Sequence, residues 1–287
     1  MLGSTSATRN RRATIATPSN TDPTLPGRED RLITPSWSER FSPLLGFVLI
    51  IALFAWSWQS LGVQFDKIAG SLPRIGDFLA RMVPPDLSVA ETVARSTLET
   101  LQIAFLGTVI SAFVSLALGL LGAANLTPGW VHQPIKWFLG MLRGIPLILL
   151  ALLFVVAVGL GPLAGVLTIA VHATGMLGKF YAEAFENADP APLEALESVG
   201  ASWAQKIRFG ALTQVAPDLV RDTLFRFELN LRESLILGLV GAGGIGFYIQ
   251  LYVRSFQYEK VATLTVVVLL MVIAIEQISI WCRKQLR

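Results

Sequence analysis

Uninterrupted apolar runs constrain this chain more than any other feature. Residues 98–123 hold one ionisable side chain, Glu99, and residues 261–281 hold one, Glu276. A helix of about 20 mainly apolar residues spans the hydrocarbon core of a bilayer. Composition agrees: of 287 residues, 53% are hydrophobic and 15% charged, where soluble domains carry about 25% charge. An ordinary cytosolic enzyme is therefore excluded. A secreted disulfide scaffold is excluded as well, because Cys282 is the single cysteine. The formal net charge of +3 is too small for a broad nucleic-acid surface, and no nucleic-acid partner is expected.

Six spans are expected, at residues 44–61, 98–123, 136–158, 162–181, 217–240 and 261–281. In lipid the backbone must satisfy its own polar groups, so each is a helix and the fold class is an all-α membrane protein. Trp56 and Trp58 fit an interfacial belt at the end of the first span. Six crossings place both termini on one side, together with Arg9, Arg11, Arg12, Lys206, Arg208, Arg283, Lys284 and Arg287. The positive-inside rule makes that side the cytoplasm. Residues 1–40, rich in Ser, Thr, Pro and Arg, read as a disordered cytoplasmic tail. Its Arg cluster is either an orientation signal or a contact for anionic lipid. The first transmembrane helix is expected over 41–62 and an extracytoplasmic segment of short interfacial helices over 63–95. A bundle core follows over 96–287, with cytoplasmic helices at 187–209.

Two spans carry small residues every four positions: Gly107, Ser111, Ser115 and Gly119 in one, Ala170, Thr174, Gly178 and Ala182 in the other. That spacing places them on one helix face, where they admit a close neighbour. Between the fourth and fifth spans the sequence writes a bent helical pair. Asp189 can cap a helix that opens on Pro190, Gly200 suits a left-handed closing residue, and Ser202 with Gln205 forms a capping-box pattern for a second helix. Leu193, Leu196, Val199, Trp203 and Ile207 supply an apolar docking face. A DNA-binding helix-turn-helix has a similar outline, but acidic Glu194 and Glu197 on a loop between two spans argue against it.

Glu194-Ala195-Leu196, Gly200 and Leu212 resemble the EAA loop of permease subunits from ATP-binding-cassette importers. The pattern departs from the family's at Leu196, usually Ala, at Gly210, usually Ile, and at Thr213, usually Pro. Further blocks resemble the phosphonate importer permease: residues 98–104, Arg143-Gly144-Ile145-Pro146, residues 159–162 with Gly165, Gly178-Lys179 with Glu183, Arg226-Phe227-Glu228-Leu229-Asn230-Leu231-Arg232, and residues 241–247. The resemblance covers roughly residues 90–287. It implies a five-helix type I importer core preceded by one extra helix, in the bacterial inner membrane. It also implies a second copy of this chain, two ATPase subunits and an extracytoplasmic substrate-binding protein. Glu194, Ala195, Leu196, Gly200, Trp203 and Leu212 are then the ATPase-coupling residues. The chain has no Walker-type loop, so ATP and magnesium would belong to the partner ATPase, and the chain itself is expected to be neither an enzyme nor a cofactor carrier.

The fifth span is the odd one, with Asp218, Arg221, Asp222, Arg226, Glu228, Arg232 and Glu233 close together. A charge at a helix centre costs about 2.5–3.5 kcal/mol on insertion scales, so these side chains must pair or face water. Glu228 and Arg232 stand four apart in the favourable order. Two readings stay open. Arg226, Glu228, Asn230, Arg232 and Glu233 line a translocation path or gate, with guanidinium forks matched to an oxyanion; or they form an internal ion-pair network that sets helix register.

Gly241, Gly243 and Gly246, with Gly244 between them, match G-x-G-x-x-G, but no strand precedes them. A tight extracytoplasmic turn is the expected use. His172 lies within a span without Cys, Asp or Glu at ligand spacing, so it reads as a hydrogen-bonded packing residue rather than a metal ligand, and no metal site is expected. Glu276 needs a partner that the sequence does not name. The cargo, whether phosphonate, phosphite, hypophosphite or phosphate, stays open. So do two other classes: an importer-like membrane sensor or scaffold without vectorial transport, and an ion-coupled secondary transporter, which would lack an ATPase.

Overall fold

The computed structural model describes residues 37–285; the tail expected over 1–40 therefore lies almost entirely outside the described residues. The chain divides into two units, residues 1–68 and 69–287. In the first, α1 (Trp37–Ser60) carries the apolar run. Trp58 packs on Phe54 at 5.8 Å and on Phe65 at 5.0 Å between ring centroids. Phe65 opens the short α2 (Phe65–Ala69).

The second unit begins with α3 (Leu72–Ala80) and then α4 (Ala90–Gly122), followed by α5 (Gly129–Gly144), α6 (Leu147–Val158) and α7 (Pro162–Glu186). Next come α8 (Pro190–Ser198), the single turn α9 (Trp203–Gln205), α10 (Leu212–Leu239), α11 (Ile245–Arg254) and α12 (Tyr258–Gln285). No strand occurs among the described residues.

Helices α4 and α7 form the packing axis, and the two small-residue stripes are what lets them approach. A Cβ on Gly107 would sit 2.6 Å from Ile169 Cγ2, and one on Gly119 would sit 2.6 Å from Tyr181 Cβ. Ser115 Oγ donates to the Thr174 carbonyl at 3.4 Å across the same contact. Gly178 of the same α7 stripe also admits α5, where a Cβ on it would meet Leu139 Cδ2 at 2.6 Å. Lipid tails are as apolar as leucine, so close van der Waals contact, rather than exclusion from water, holds such a pair. The outward faces of α4, α6 and α12 remain apolar and exposed, with Phe105, Phe113, Leu153, Val156, Leu269 and Leu270 among them. That is the surface of a multi-pass membrane protein.

Three helices, Leu87–Gly122, Pro162–Glu186 and Tyr258–Gln285, are long and apolar enough to cross a bilayer, and up to five spans result if two bent helix pairs each count once. The span expected at 136–158 is one of those bent pairs: α5 and α6 meet at 87°. Proline lacks the amide that would continue the ladder and pushes its predecessor out of the helical region. Ile145, before Pro146, duly has ψ 122°. The helix expected from residue 98 starts earlier, at Ala90, with an exposed Glu91–Arg95 pair in its first turns.

Candidate functional site

The hairpin after α7 has a capped start. Asp189 Oδ1 accepts the Ala191 amide at 2.9 Å, and Pro190 occupies the first helical position, where a missing N–H costs nothing. α8 closes on Gly200, whose φ of +78° disfavours any residue with a Cβ. Gln205 Oε1 then accepts the Ser202 amide at 2.7 Å. The second helix of the expected pair is not a separate element. α9 runs through a π-helical turn, Lys206–Ala211, directly into α10. No proline stands between Trp203 and Leu212, and at Gly210 the coil widens and continues instead of stopping.

This turn accounts for two departures from the importer pattern. A Cβ on Gly210 would lie 2.8 Å from Leu193 Cδ2 and 3.1 Å from Leu196 Cδ1, so its absence lets α8 fold down on the turn. Thr213 Oγ1 donates to the carbonyls of Phe209 at 2.9 Å and Gly210 at 3.1 Å. Gln214 clasps the start of α8, accepting the Asp189 amide at 2.9 Å and donating to the Asp189 carbonyl at 3.2 Å. The expected single docking face is split. Leu193 and Ile207 turn inward, as does Leu212, while Glu194, Ala195 and Val199 are exposed. Trp203 is half-exposed and donates its indole N–H to the Leu126 carbonyl at 3.1 Å.

The charged side chains in the middle of α10 sort into two groups. Arg226, 2% exposed, donates to Glu233 Oε2 at 2.8 Å and lies 2.9 Å from His172 Nδ1 and 3.3 Å from Met176 Sδ, both on α7. Its Nε has no partner among the described residues. Glu228 and Arg232 form the pair their spacing announces, at 2.8 Å. The pair extends to α12, with Arg232 3.5 Å from Glu276 and Arg283 3.4 Å from Glu228. The Arg232 side chain is 46% exposed against 3% for Arg226. Asn230, fully buried, donates to Thr108 Oγ1 on α4 at 2.8 Å, and its carbonyl oxygen is unpartnered. Toward the hairpin end, an open cleft of about 370 Å³ is lined by polar groups including Glu183, Asp189, Gln214, Asp218, Arg221 and Asp222.

At the far end of α10 the glycine segment forms a turn. Gly241, Gly243 and Gly244 all have positive φ, at 88°, 83° and 76°. Gly246 lies inside α11, where a Cβ would run into the Leu235 backbone. The turn is pinned from α4: Glu99 Oε1 accepts the Gly244 amide at 2.9 Å and Thr100 Oγ1 accepts the Ile245 amide at 2.8 Å. Gly161 donates its amide to the Gly241 carbonyl at 2.9 Å, tying the turn to the entry of α7.

His172, Met176, Thr108 and Arg283 escaped the sequence reading as members of these networks. Their partners lie 50 or more residues away, as with Arg226 and Met176, and no local pattern announces them. No cluster of three or more metal-ligating side chains occurs among the described residues.

A multi-pass helical bundle, with a clamped hairpin at one end and ionic networks between its helices, is the architecture of a membrane transport component. Comparison with known proteins specifies it further: the chain belongs to the family of binding-protein-dependent transport system inner membrane components, whose model matches residues 115–284. It is 37% identical to the phosphite transport system permease protein PtxC of Stutzerimonas stutzeri, over 80% of this chain and 84% of that one. It is 34% identical to the phosphate-import permease protein PhnE of Mycolicibacterium smegmatis, over 85% of this chain but 44% of the relative. Among solved structures, a chain of the inward-facing MetNI methionine ABC transporter aligns with TM-score 0.63 and 21% identity, covering 70% of this chain and 99% of that one. That likeness establishes the shared fold.

Proposed function

We propose that this chain forms the translocation path of an ATP-driven importer for phosphonate or a related phosphorus oxyanion, phosphite and phosphate included. It would work as a homodimer with two ATPase subunits, which bind the ATP and magnesium, and with an extracytoplasmic substrate-binding protein. The cargo class comes from the relatives, which are named for phosphite and phosphate transport. The observation that carries the ATPase-coupled reading is the α8 hairpin. It presents exposed Glu194, Ala195 and Val199 on a base held by Gln214, and its second limb is continuous with α10. Force applied to α8 therefore reaches the charged helix through the Gly200 turn, the Gln214 clasp and the continuous α9–α10 limb.

On this reading the crossings number six: α1, α4, the bent α5–α6 pair, α7, α10 and α12, in the bacterial plasma membrane with both termini cytoplasmic. α10 qualifies despite its charge because its ionised groups are paired. Residues 1–40 form the cytoplasmic tail, 41–62 the first transmembrane helix, 63–95 the extracytoplasmic segment and 96–287 the permease core, with the coupling element at 187–209. The glycine turn at 241–246 faces the outside. Arg232, paired yet half-exposed, borders the path with Glu228, while Arg226 and Glu233 set the register of α10 on α7.

The test is uptake in proteoliposomes that contain this chain, its ATPase and its binding protein, with phosphonate, phosphite, hypophosphite and phosphate offered separately. ATP-dependent accumulation of at least one of these anions, lost when any component is omitted, is the expected result. Accumulation without ATP contradicts the proposal, as does substrate-stimulated ATP hydrolysis with no accumulation.

A further inference from the structure

The turn between α4 and α5, residues 123–128, touches the sites described above only at the Leu126 carbonyl, yet three elements hold it. The Ala124 amide donates to Glu186 Oε1 of α7 at 2.8 Å, and the same carboxylate oxygen takes the Lys136 ammonium of α5 at 2.6 Å. Asn125 Nδ2 donates to the Phe185 carbonyl at 2.8 Å. The Leu126 carbonyl accepts the Trp203 indole N–H at 3.1 Å, a bond between residues 77 apart in sequence. Ala123, fully buried, belongs to the same core as Leu177, Tyr181, Phe185, Ala211 and Val215. The turn is thus a knot joining the ends of α4, α5 and α7, and Trp203 ties that knot to the joint where the hairpin becomes α9 and α10.

The geometry points to residues 123–128 as a second transmission element, with Trp203 as the positioning residue that delivers hairpin displacement to it. This rests on the reading of α8 as the ATPase-coupling element. A push on α8 that travelled only along the α9–α10 backbone would reach the other helices solely through the packing of α10 against them. Through the indole bond the same push also reaches the turn that ties together α4, α5 and α7, a contiguous hydrogen-bonded and packed network able to carry it. Trp203 then acts inside the chain, not as a contact for the ATPase.

The test measures anion accumulated per ATP hydrolysed in the reconstituted complex, with Trp203→Phe and Asn125→Ala each compared with the wild type. Phe keeps the ring and removes the donor. The ratio is expected to fall about fivefold, the equilibrium worth of one net hydrogen bond, while the ATPase subunit co-purifies at wild-type stoichiometry and ATP turnover persists. Asn125 bonds to α7 and not to α8, so a fall in the same ratio there supports the knot independently of docking. Unchanged ratios in both variants overturn the inference. Loss of the ATPase subunit from the Trp203→Phe complex also overturns it, by making Trp203 a docking residue. ATP-independent uptake by the wild-type complex instead sinks the underlying coupling reading, before any substitution is made.

Discussion

The α4–α7 pair and the α10 helix reach close packing by opposite means. In the first, missing side chains do the work: Gly107 and Gly119 bring backbone against side chain where a Cβ would overlap its neighbour. In the middle of the second, charge bridges the helices: Arg226 reaches Glu233 along its own helix and His172 across to α7, and Arg232 reaches Glu276 on α12. Contact by small residues has one geometry and resists change. Contact by long paired side chains can slide or exchange partners while keeping each charge compensated. On the proposed transport reading, α4 and α7 would form the static part of the bundle and α10 the part that changes partners.

The comparison breaks most visibly at Arg226. Arg226→Met leaves the half-buried Glu233 without its guanidinium, and the loss should be at most about 3–5 kcal/mol, read as thermal unfolding of the purified protein in detergent. Adding Glu233→Leu should return much of that loss, because the two positions form one pair and do not add. If the double variant is as unstable as the single one, the pairing does not set the register of α10.

On the glycine side, Gly119→Val should cost about 1–3 kcal/mol, because its neighbours include the Gly178 carbonyl and the Ala182 amide, which cannot turn aside. The matched control is Gly140→Ala on α5, where a Cβ meets nothing within 4 Å; it should gain about 0.5–1 kcal/mol. The same unfolding assay reads both.

These contrasts explain which parts of the molecule were legible in the sequence. Small-residue stripes repeat every four positions, and caps such as Asp189 with Ala191 act within two residues, so both can be read along one segment. The Glu228–Arg232 pair is local in the same sense. The break at Pro146 carried its own signal, yet the length of the apolar run from 136 to 158 outweighed it. What stayed illegible depends on distance. Arg226 meets residues of α7, Glu276 finds Arg232 on another helix, and Glu99 pins an amide 145 residues away. The merging of α9 with α10 was hidden for another reason: Ser202 and Gln205 specify where a helix starts, and the one interruption nearby, Gly210, widens the coil without stopping it.

Two smaller effects sharpen the account of the hairpin. Gly200→Ala places a Cβ at φ +78° and should cost about 1–2 kcal/mol, observed as faster proteolysis between α8 and α9 with the rest of the bundle intact. Lys206→Ala removes the pair with Glu197, whose side chain is 71% exposed. That change should cost less than about 0.5 kcal/mol and leave uptake at the wild-type rate. A large effect there would mean that hairpin charge matters more than hairpin shape.

Everything proposed for transport depends on α8 being gripped by a separate ATPase on the cytoplasmic side. The direct measurement starts from a Cys282→Ser chain and compares Glu194→Cys and Val199→Cys, each carrying a photo-crosslinker in native membranes. The account predicts an adduct with the nucleotide-hydrolysing subunit and no labelling of either cysteine by an impermeant thiol reagent added outside intact cells. Labelling from outside, or crosslinking that yields no ATPase adduct at either position, contradicts it.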